Sequence, residues 1–138
     1  MLELDAQARS SAPPERVWAL LADVRTWRDW ADFDEAEVES GSGLGEVRAF
    51  RRGRIRTRER VTVFEPPRVL GYDFLSGLPI RDYHADVTLT PEDGGTHIRW
   101  HSTFHAKVPG TGWLIRPSLQ SFVADTAERL ARAAERSE

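Results

Sequence analysis

Every second residue of one arginine-rich run sets up the chemistry worth testing. From Arg54 to Phe64 the sequence alternates. Successive strand side chains point to opposite faces. One face then holds Ile55, Thr57, Glu59, Val61 and Val63, and the other holds Arg54, Arg56, Arg58, Arg60, Thr62 and Phe64. The apolar set is expected to face inward and to take Glu59 with it. Loss of water disfavours the charged form of a carboxylate, so the pKa of Glu59 should rise. A carboxyl tuned that way can act as general acid or base, for example in an aldol-type cyclisation or a dehydration. A second reading stands beside this one. Glu59 can pair with Arg48 or with a buried water and be structural, since ion pairs also perturb carboxylates.

Two tyrosines are placed to join Glu59. Leu70, Tyr72 and Phe74 share a face of one run, and Tyr83, Ala85, Val87 and Leu89 share a face of the next. Tyr72 and Tyr83 can donate to a ligand carbonyl or to a developing enolate, or serve as core aromatics with satisfied hydroxyls. Ile98, Trp100, Ser102 and Phe104 form a third inward set. A mostly apolar lining with a few placed polar groups describes a small-molecule site; a solid core with those polar atoms paired is the alternative. The expected ligand-contacting set is Thr57, Val61, Leu70, Phe74, Leu78, Pro79, Ala85, Val87, Trp100, Ser102, Phe104, Leu119, Phe122, Val123 and Thr126, with Glu59, Tyr83 and Tyr72 as the catalytic candidates. Trp27 and Trp30 read as core or pocket wall.

Two other groupings invite chemistry and lose it on geometry. His97, His101 and His105 recur every fourth residue, but in a strand context that spreads them roughly 13 Å apart per step. One metal cannot span that, and a His84 pairing across the sheet would supply only two ligands where zinc wants three or four. No metal and no cofactor are expected. The arginines Arg48, Arg51, Arg52, Arg54, Arg56, Arg58 and Arg60 suit anions, yet Asp32, Asp34, Glu35, Glu37 and Glu39 precede them, and Asp86 and Glu59 are available across strands. Cross-strand charge pairing is the expected role.

The elements that position these residues follow from turn chemistry and period. Leu2 to Ala8 suits an edge strand. Pro13 to Asp23 reads as a helix, with Ser10 or Ser11 as its cap and a proline in its first turn; Val17, Leu20, Leu21 and Val24 share its apolar face. A short helix spans Arg25 to Trp30. Strands are expected at Glu37 to Ser40, Val47 to Arg51, Arg54 to Phe64, Val69 to Leu75, Arg81 to Thr90 and Thr96 to Lys107, joined by turns such as Gly53 and Pro91 to Gly95. Turns that short require antiparallel neighbours. A final helix from about Thr111 to Ala134 presents Ile115, Leu119, Phe122, Val123, Thr126 and Leu130, and Pro117 should start or kink it. Strands gathered between helices indicate an α+β fold.

Composition bounds the rest. The 138 residues suit one domain with a sizeable core. A net charge of −3 gives no field to recruit nucleic acid or anionic membrane. The absence of cysteine excludes disulfides, thiol catalysis and thiolate metal sites. No apolar run reaches membrane-spanning length, the N-terminus lacks a signal-peptide pattern, and a cytoplasmic location is expected. Gly41 to Gly45 opens no helix, so no dinucleotide or phosphate loop is present.

The order of parts resembles the helix-grip fold of the START-like (SRPBCC) superfamily, and within it the bacterial polyketide cyclase/dehydrase and lipid-transport-like members. The resemblance rests on Ala12-Pro13-Pro14-Glu15-Arg16-Val17-Trp18, Asp23 and Trp27 to Trp30; on Gly43 to Arg48; on Arg58 to Leu70; and on the closing helix. It implies a curved antiparallel sheet of about six or seven strands around the C-terminal helix, and a deep hydrophobic pocket between them without cofactor. It further implies a pocket carboxylate at Glu59, a pocket hydroxyl at Tyr83 and a gating loop at Leu78-Pro79. Members bind polyketides, lipids, sterols or hormones, and only some catalyse. The expected partner is a hydrophobic small molecule, held by an enzyme or a carrier; an interaction protein using its outer Arg/His sheet face is the third class. Monomer and homodimer are both open, since an N-terminal edge strand can pair.

Overall fold

Short turns between apolar-alternating runs build one antiparallel sheet. The computed structural model describes residues 1–136. Its strands are β1 (Leu2–Ser10), β2 (Glu35–Ser40), β3 (Val47–Arg52), β4 (Ile55–Glu65), β5 (Val69–Ser76), β6 (Ile80–Glu92) and β7 (Gly95–Ala106). They pair antiparallel in the order β1-β7-β6-β5-β4-β3-β2. Between β1 and β2 lie α1 (Pro14–Ala22), a 3-10 turn (Val24–Thr26) and α2 (Trp27–Trp30), and α3 (Gly112–Arg136) closes the chain. This is the helix-grip α+β architecture expected from the order of parts, a curved seven-stranded sheet holding a long C-terminal helix.

The inward sets of β5, β6 and β7 are as alternation predicts, with Leu70, Tyr72, Tyr83, Ala85, Val87, Leu89, Ile98, Trp100 and Phe104 all buried in one core. Register shifts change the count elsewhere, and two of the four re-aim inward side chains. Val61 opposes Tyr72, but Val63 opposes Gly71, so Thr62 is an extra residue in β4. The face flips there: Phe64, expected outside, packs against the core and meets Trp18 edge-on with ring centroids 5.4 Å apart. A second irregularity lies in β6 between Arg81 and His84, where Asp82 adopts φ 53°. It lets Ile80 and Tyr83, three residues apart, both face inward. A bulge re-aims side chains in this way.

Several local expectations need correction. Pro13 is the N-cap of α1 and no side chain caps it. Ser10 is buried and donates instead to the carbonyl of Ala131, 2.9 Å away. Of the two roles expected for Pro117, starting the helix is not the one observed: α3 begins at Gly112, and Pro117 sits in its second turn. There its missing N–H removes one intrahelical bond. The edge strand β1 is not free to pair. Gln120 accepts from the Asp5 amide (3.2 Å) and donates to the Asp5 carbonyl (2.8 Å), Arg116 donates to the Glu3 carbonyl (2.9 Å), and Arg132 donates to the Arg9 carbonyl. Helix α3 therefore occupies four of the outward backbone groups of β1, which an incoming strand would have to displace.

The outer face carries the charges. Arg51 pairs with Asp34 and Glu35 and Arg58 with Glu39, whereas Arg52, paired with Asp32, is in register with Ile55 on the inward face. Asp86 departs from the expected arginine partner: it and Asp73 hold His84, at 3.1 and 2.7 Å. Partial burial works against protonation of His84, but the two carboxylates outweigh it and raise its pKa above 6.5. His101 meets Glu3 and His97 meets Gln7, each through Nε2. Among the described residues no cluster of histidine and carboxylate ligands fits a metal ion, and no helix is long and apolar enough to cross a membrane.

Candidate functional site

Size of side chain along α3 decides where the sheet and helix close and where they part. Toward its C-terminus the helix buries Ala127, Leu130, Ala131 and Ala134. Small residues let backbones approach, and that end is filled. Toward its N-terminus the same stripe carries Leu119, Phe122 and Val123, and a cavity of about 250 Å³ lies beneath them.

Each wall comes from a different element. Strand β4 supplies Ile55, Thr57 and Glu59; β5 supplies Tyr72 and Phe74; β6 supplies Ile80 and Tyr83; β7 supplies Trp100. Leu78 comes from the β5–β6 turn, and Ser118, Leu119, Phe122, Val123 and Thr126 from α3. Trp27, Phe33 and Arg52 complete the lining. The roof is aromatic: Trp27 stacks obliquely on Phe50 at 5.4 Å, Phe33 on Phe50 at 4.7 Å, and Phe122 meets Phe33 edge-on at 5.6 Å. The Leu78 turn is seated tightly. Gly77 has φ 119°, and a Cβ there would lie 2.1 Å from the Arg56 carbonyl oxygen. Only glycine permits that approach.

Glu59 lines this cavity, and among the described residues its carboxylate has no hydrogen-bond or ion-pair partner. Arg48 is its cross-strand neighbour but is engaged elsewhere. Arg48 is 1% exposed. Its Nε donates to Glu46 at 2.6 Å, and its Nη1 and Nη2 donate to the carbonyls of Leu21 and Ala22 at 3.2 and 2.5 Å. Those carbonyls end α1, where a cation is favoured. The expected Glu59–Arg48 pair is therefore replaced by Glu46–Arg48. Burial pushes the Glu59 pKa from 4.5 up to about 8, and the positive charge of Arg48 opposes this only in part. Some of the Glu59 surface is reachable by water, and that surface faces the cavity rather than the outer sheet face. At pH 7 the group is mainly a neutral carboxyl, able to donate as well as accept.

The tyrosines sit beside it. Burial holds the Tyr72 pKa well above 10, with the charges of Tyr83 and Glu59 acting in the same direction. Burial pushes Tyr83 up to about 12. Trp100 Nε1 donates to the Tyr72 oxygen at 3.1 Å, so the Tyr72 proton is left to point elsewhere. The Tyr83 hydroxyl meets Ser102 Oγ at 2.9 Å. Thr126 spends its donor on the Phe122 carbonyl at 2.8 Å. The polar groups offered to a guest deep in the cavity are thus Glu59, Tyr72, Tyr83 and Thr57, with Arg52 and Ser118 the other polar side chains of the lining.

The structure gathers Glu59, Tyr72, Tyr83, Thr57, Phe74, Leu78, Trp100, Leu119, Phe122, Val123 and Thr126 around one space. It does not bring Val61, Leu70, Pro79, Ala85, Val87, Ser102 or Phe104 to the lining. Alternation selected them because they face inward, but facing inward also describes packed core: Val61, Leu70, Ala85, Val87 and Phe104 belong to it, and Ser102 stands behind Tyr83. Pro79 stays in the turn, with its carbonyl accepting from Lys107 at 3.0 Å. Sequence reasoning did not select Phe33, Arg52, Ile55, Ile80 or Ser118. Pairing Arg52 with Ile55 across the Gly53 turn puts both on the inward face, and that register was a usable signal for two of the five.

Comparison with known proteins places this architecture. The chain matches the family model described as polyketide cyclase / dehydrase and lipid transport over residues 1–135. Among solved structures it is similar to XoxI of Bacillus cereus (TM-score 0.82, 19% identity, covering 96% of this chain and 95% of that one). It is also similar to the Zhui aromatase/cyclase of Streptomyces sp. R1128 (0.82, 16%, 98% and 94%). A third is norcoclaurine synthase of Thalictrum flavum, solved with dopamine and hydroxybenzaldehyde (0.79, 13%, 99% and 88%). No curated protein matches the sequence. The chain belongs to the polyketide cyclase / dehydrase and lipid transport family.

Proposed function

We propose that this protein holds a hydrophobic, carbonyl-bearing small molecule (polyketide-, lipid- or aromatic-like) in the cavity between the sheet and the first half of α3. The observation that carries the reading is the unpartnered Glu59 carboxyl in an apolar chamber. Water reaches this carboxyl only through the cavity, so a guest oxygen that replaces that water gives it a partner in an apolar setting. A neutral Glu59 and the Tyr72 and Tyr83 hydroxyls are all donors, so they select an acceptor such as a ketone or enol oxygen. The aromatic roof supplies the apolar contact area. Two similar structures, the Zhui aromatase/cyclase and a norcoclaurine synthase solved with dopamine and hydroxybenzaldehyde, agree with a guest of this kind.

A second reading, acid–base catalysis, rests on the position of the Glu59 pKa near neutrality. In its ionised fraction Glu59 takes the proton next to a guest carbonyl while Tyr72 or Tyr83 donates to the enolate oxygen. The enolate carbon closes on a second carbonyl of the guest, and the neutral Glu59 returns its proton to the alkoxide so formed; Glu59 then removes a second proton beside the first carbonyl and delivers it to the hydroxyl as it leaves, releasing water. Enclosure by the aromatic walls holds the chain folded for that step.

Native mass spectrometry of freshly purified protein, followed by organic extraction, tests the binding reading. A retained mass of a few hundred daltons, lost in a Leu119→Trp variant that fills the chamber, is the expected result. An empty protein that also fails to take up a fluorescent naphthalene probe overturns it. Glu59→Gln separates the two readings: a catalyst loses turnover with its fold intact, whereas a carrier keeps its ligand and has no turnover to lose.

A further inference from the structure

The chamber has a single cation in its lining, and it stands at the mouth. Arg52 closes β3, one residue before the Gly53 turn, and is about half exposed, with a side-chain exposure of 52%. Its guanidinium lies over the Phe122 ring at 5.3 Å, so it meets solvent on one side and the chamber wall on the other. Asp32 approaches it from one side only. Nε donates to Asp32 Oδ2 at 3.0 Å, and Nη2 lies 2.9 Å from the same oxygen. Among the described residues Nη1 has no hydrogen-bond partner, so two N–H groups remain unspent beside the aromatic edge.

We propose that Arg52 is a specificity residue that reads an anionic tail, so that the preferred guest is an acid with a hydrophobic body: aromatic or aliphatic in the chamber, an acceptor oxygen at Glu59, and a carboxylate at the Nη1 side of Arg52. This rests on the binding reading above and narrows its ligand class. The two ends of the chamber differ in kind. Around Glu59 the groups are neutral donors in a water-poor setting, which rejects an ion. At the mouth a permanent cation with a planar fork, already fixed by Asp32 and Phe122, accepts one with little further ordering. A carboxylated guest therefore has one orientation, tail outward.

Titration of naphthylacetate and of its methyl ester into the intact protein, followed by intrinsic tryptophan fluorescence at low and moderate salt, tests this. The acid is expected to bind about tenfold more tightly than the ester, a difference of about 1.4 kcal/mol. Arg52→Gln is expected to erase the preference by weakening the acid alone, and Arg52→Lys to restore part of it. Asp32→Asn frees the guanidinium and is expected to strengthen acid binding while leaving the ester unchanged. Equal affinities for acid and ester in the wild type, or an acid preference that survives Arg52→Gln, overturn the proposal. If neither compound binds, the binding reading itself fails. If both bind equally and Leu119→Trp blocks both, the chamber stands and only the role of Arg52 falls.

Discussion

The two ends of the space between α3 and the sheet are built from the same stripe of one helix, and they do opposite things. At the C-terminal end Ala127, Leu130, Ala131 and Ala134 are fully buried against the sheet core and α1. At the N-terminal end Leu119 and Phe122 are only partly buried, and a chamber opens below them. Larger side chains on the helix produce more empty space, not less. Aromatic rings on both sides hold the surfaces apart and cannot interdigitate as alanines do. The filled end secures the fold, and the propped end is left for a guest.

The sharpest way to break this comparison is to truncate one large side chain at each end, the larger truncation falling at the chamber. Leu130→Ala is expected to cost about 3 kcal/mol of unfolding free energy, within the usual range for a buried leucine. Phe122→Ala is expected to cost roughly half as much, because its ring already borders a cavity and partly meets solvent, and instead to lower affinity for an aromatic probe. Denaturant unfolding of the two variants decides it; equal losses would mean that the chamber wall is as structural as the filled end. The next effect is electrostatic. Glu59 binds its proton more tightly in the folded state than in the unfolded chain, so wild-type stability should fall as pH rises from 4.5 to about 8. The slope inside that window is at most about 1.4 kcal/mol per pH unit, and water in the chamber reduces it. Glu59→Gln should flatten the thermal-midpoint profile over that range, and an unchanged slope would remove Glu59 as its source. The smallest effect concerns the seam shared by both ends. Gln120→Ala removes both bonds to Asp5 and is expected to cost about 1 kcal/mol. Amide exchange at Asp5 should quicken while Ser10, tied to Ala131 at the filled end, stays protected. Uniform loosening along β1 would show that the helix is held as one rigid bar.

Much of this arrangement was legible because the residues that place strands act locally. Gly53, the Pro91 to Gly95 turn and period-two alternation suffice to order the sheet and to turn Tyr72, Tyr83 and Trp100 inward. The rest depended on events that alternation cannot carry. The extra residue at Thr62 exchanges Val63 for Phe64, and the left-handed Asp82 turns Ile80 inward. Phe33 lies in a connection with no period to read. Of the two readings left open for Glu59, pairing with Arg48 is not realised, although the two are cross-strand neighbours, because Arg48 goes to Glu46 and to the carbonyls ending α1. Nor does an inward-facing list distinguish a wall from a core; that depends on the spacing set by Ala127 and Ala131 against Phe122.

Covering β1 with α3 also sets an arithmetic of assembly. A chain of molecules joined edge to edge needs two sticky ends on every member. Here the sheet ends in β1, whose outward groups at Glu3, Asp5 and Arg9 are taken, and in β2, a short strand studded with Glu35, Glu37 and Glu39. Joining through β2 exhausts the available ends after two copies, and its like charges face each other as they meet. Extension through β1 would have to displace Arg116, Gln120 and Arg132, so the helix that roofs the chamber also resists growth of the sheet at that end.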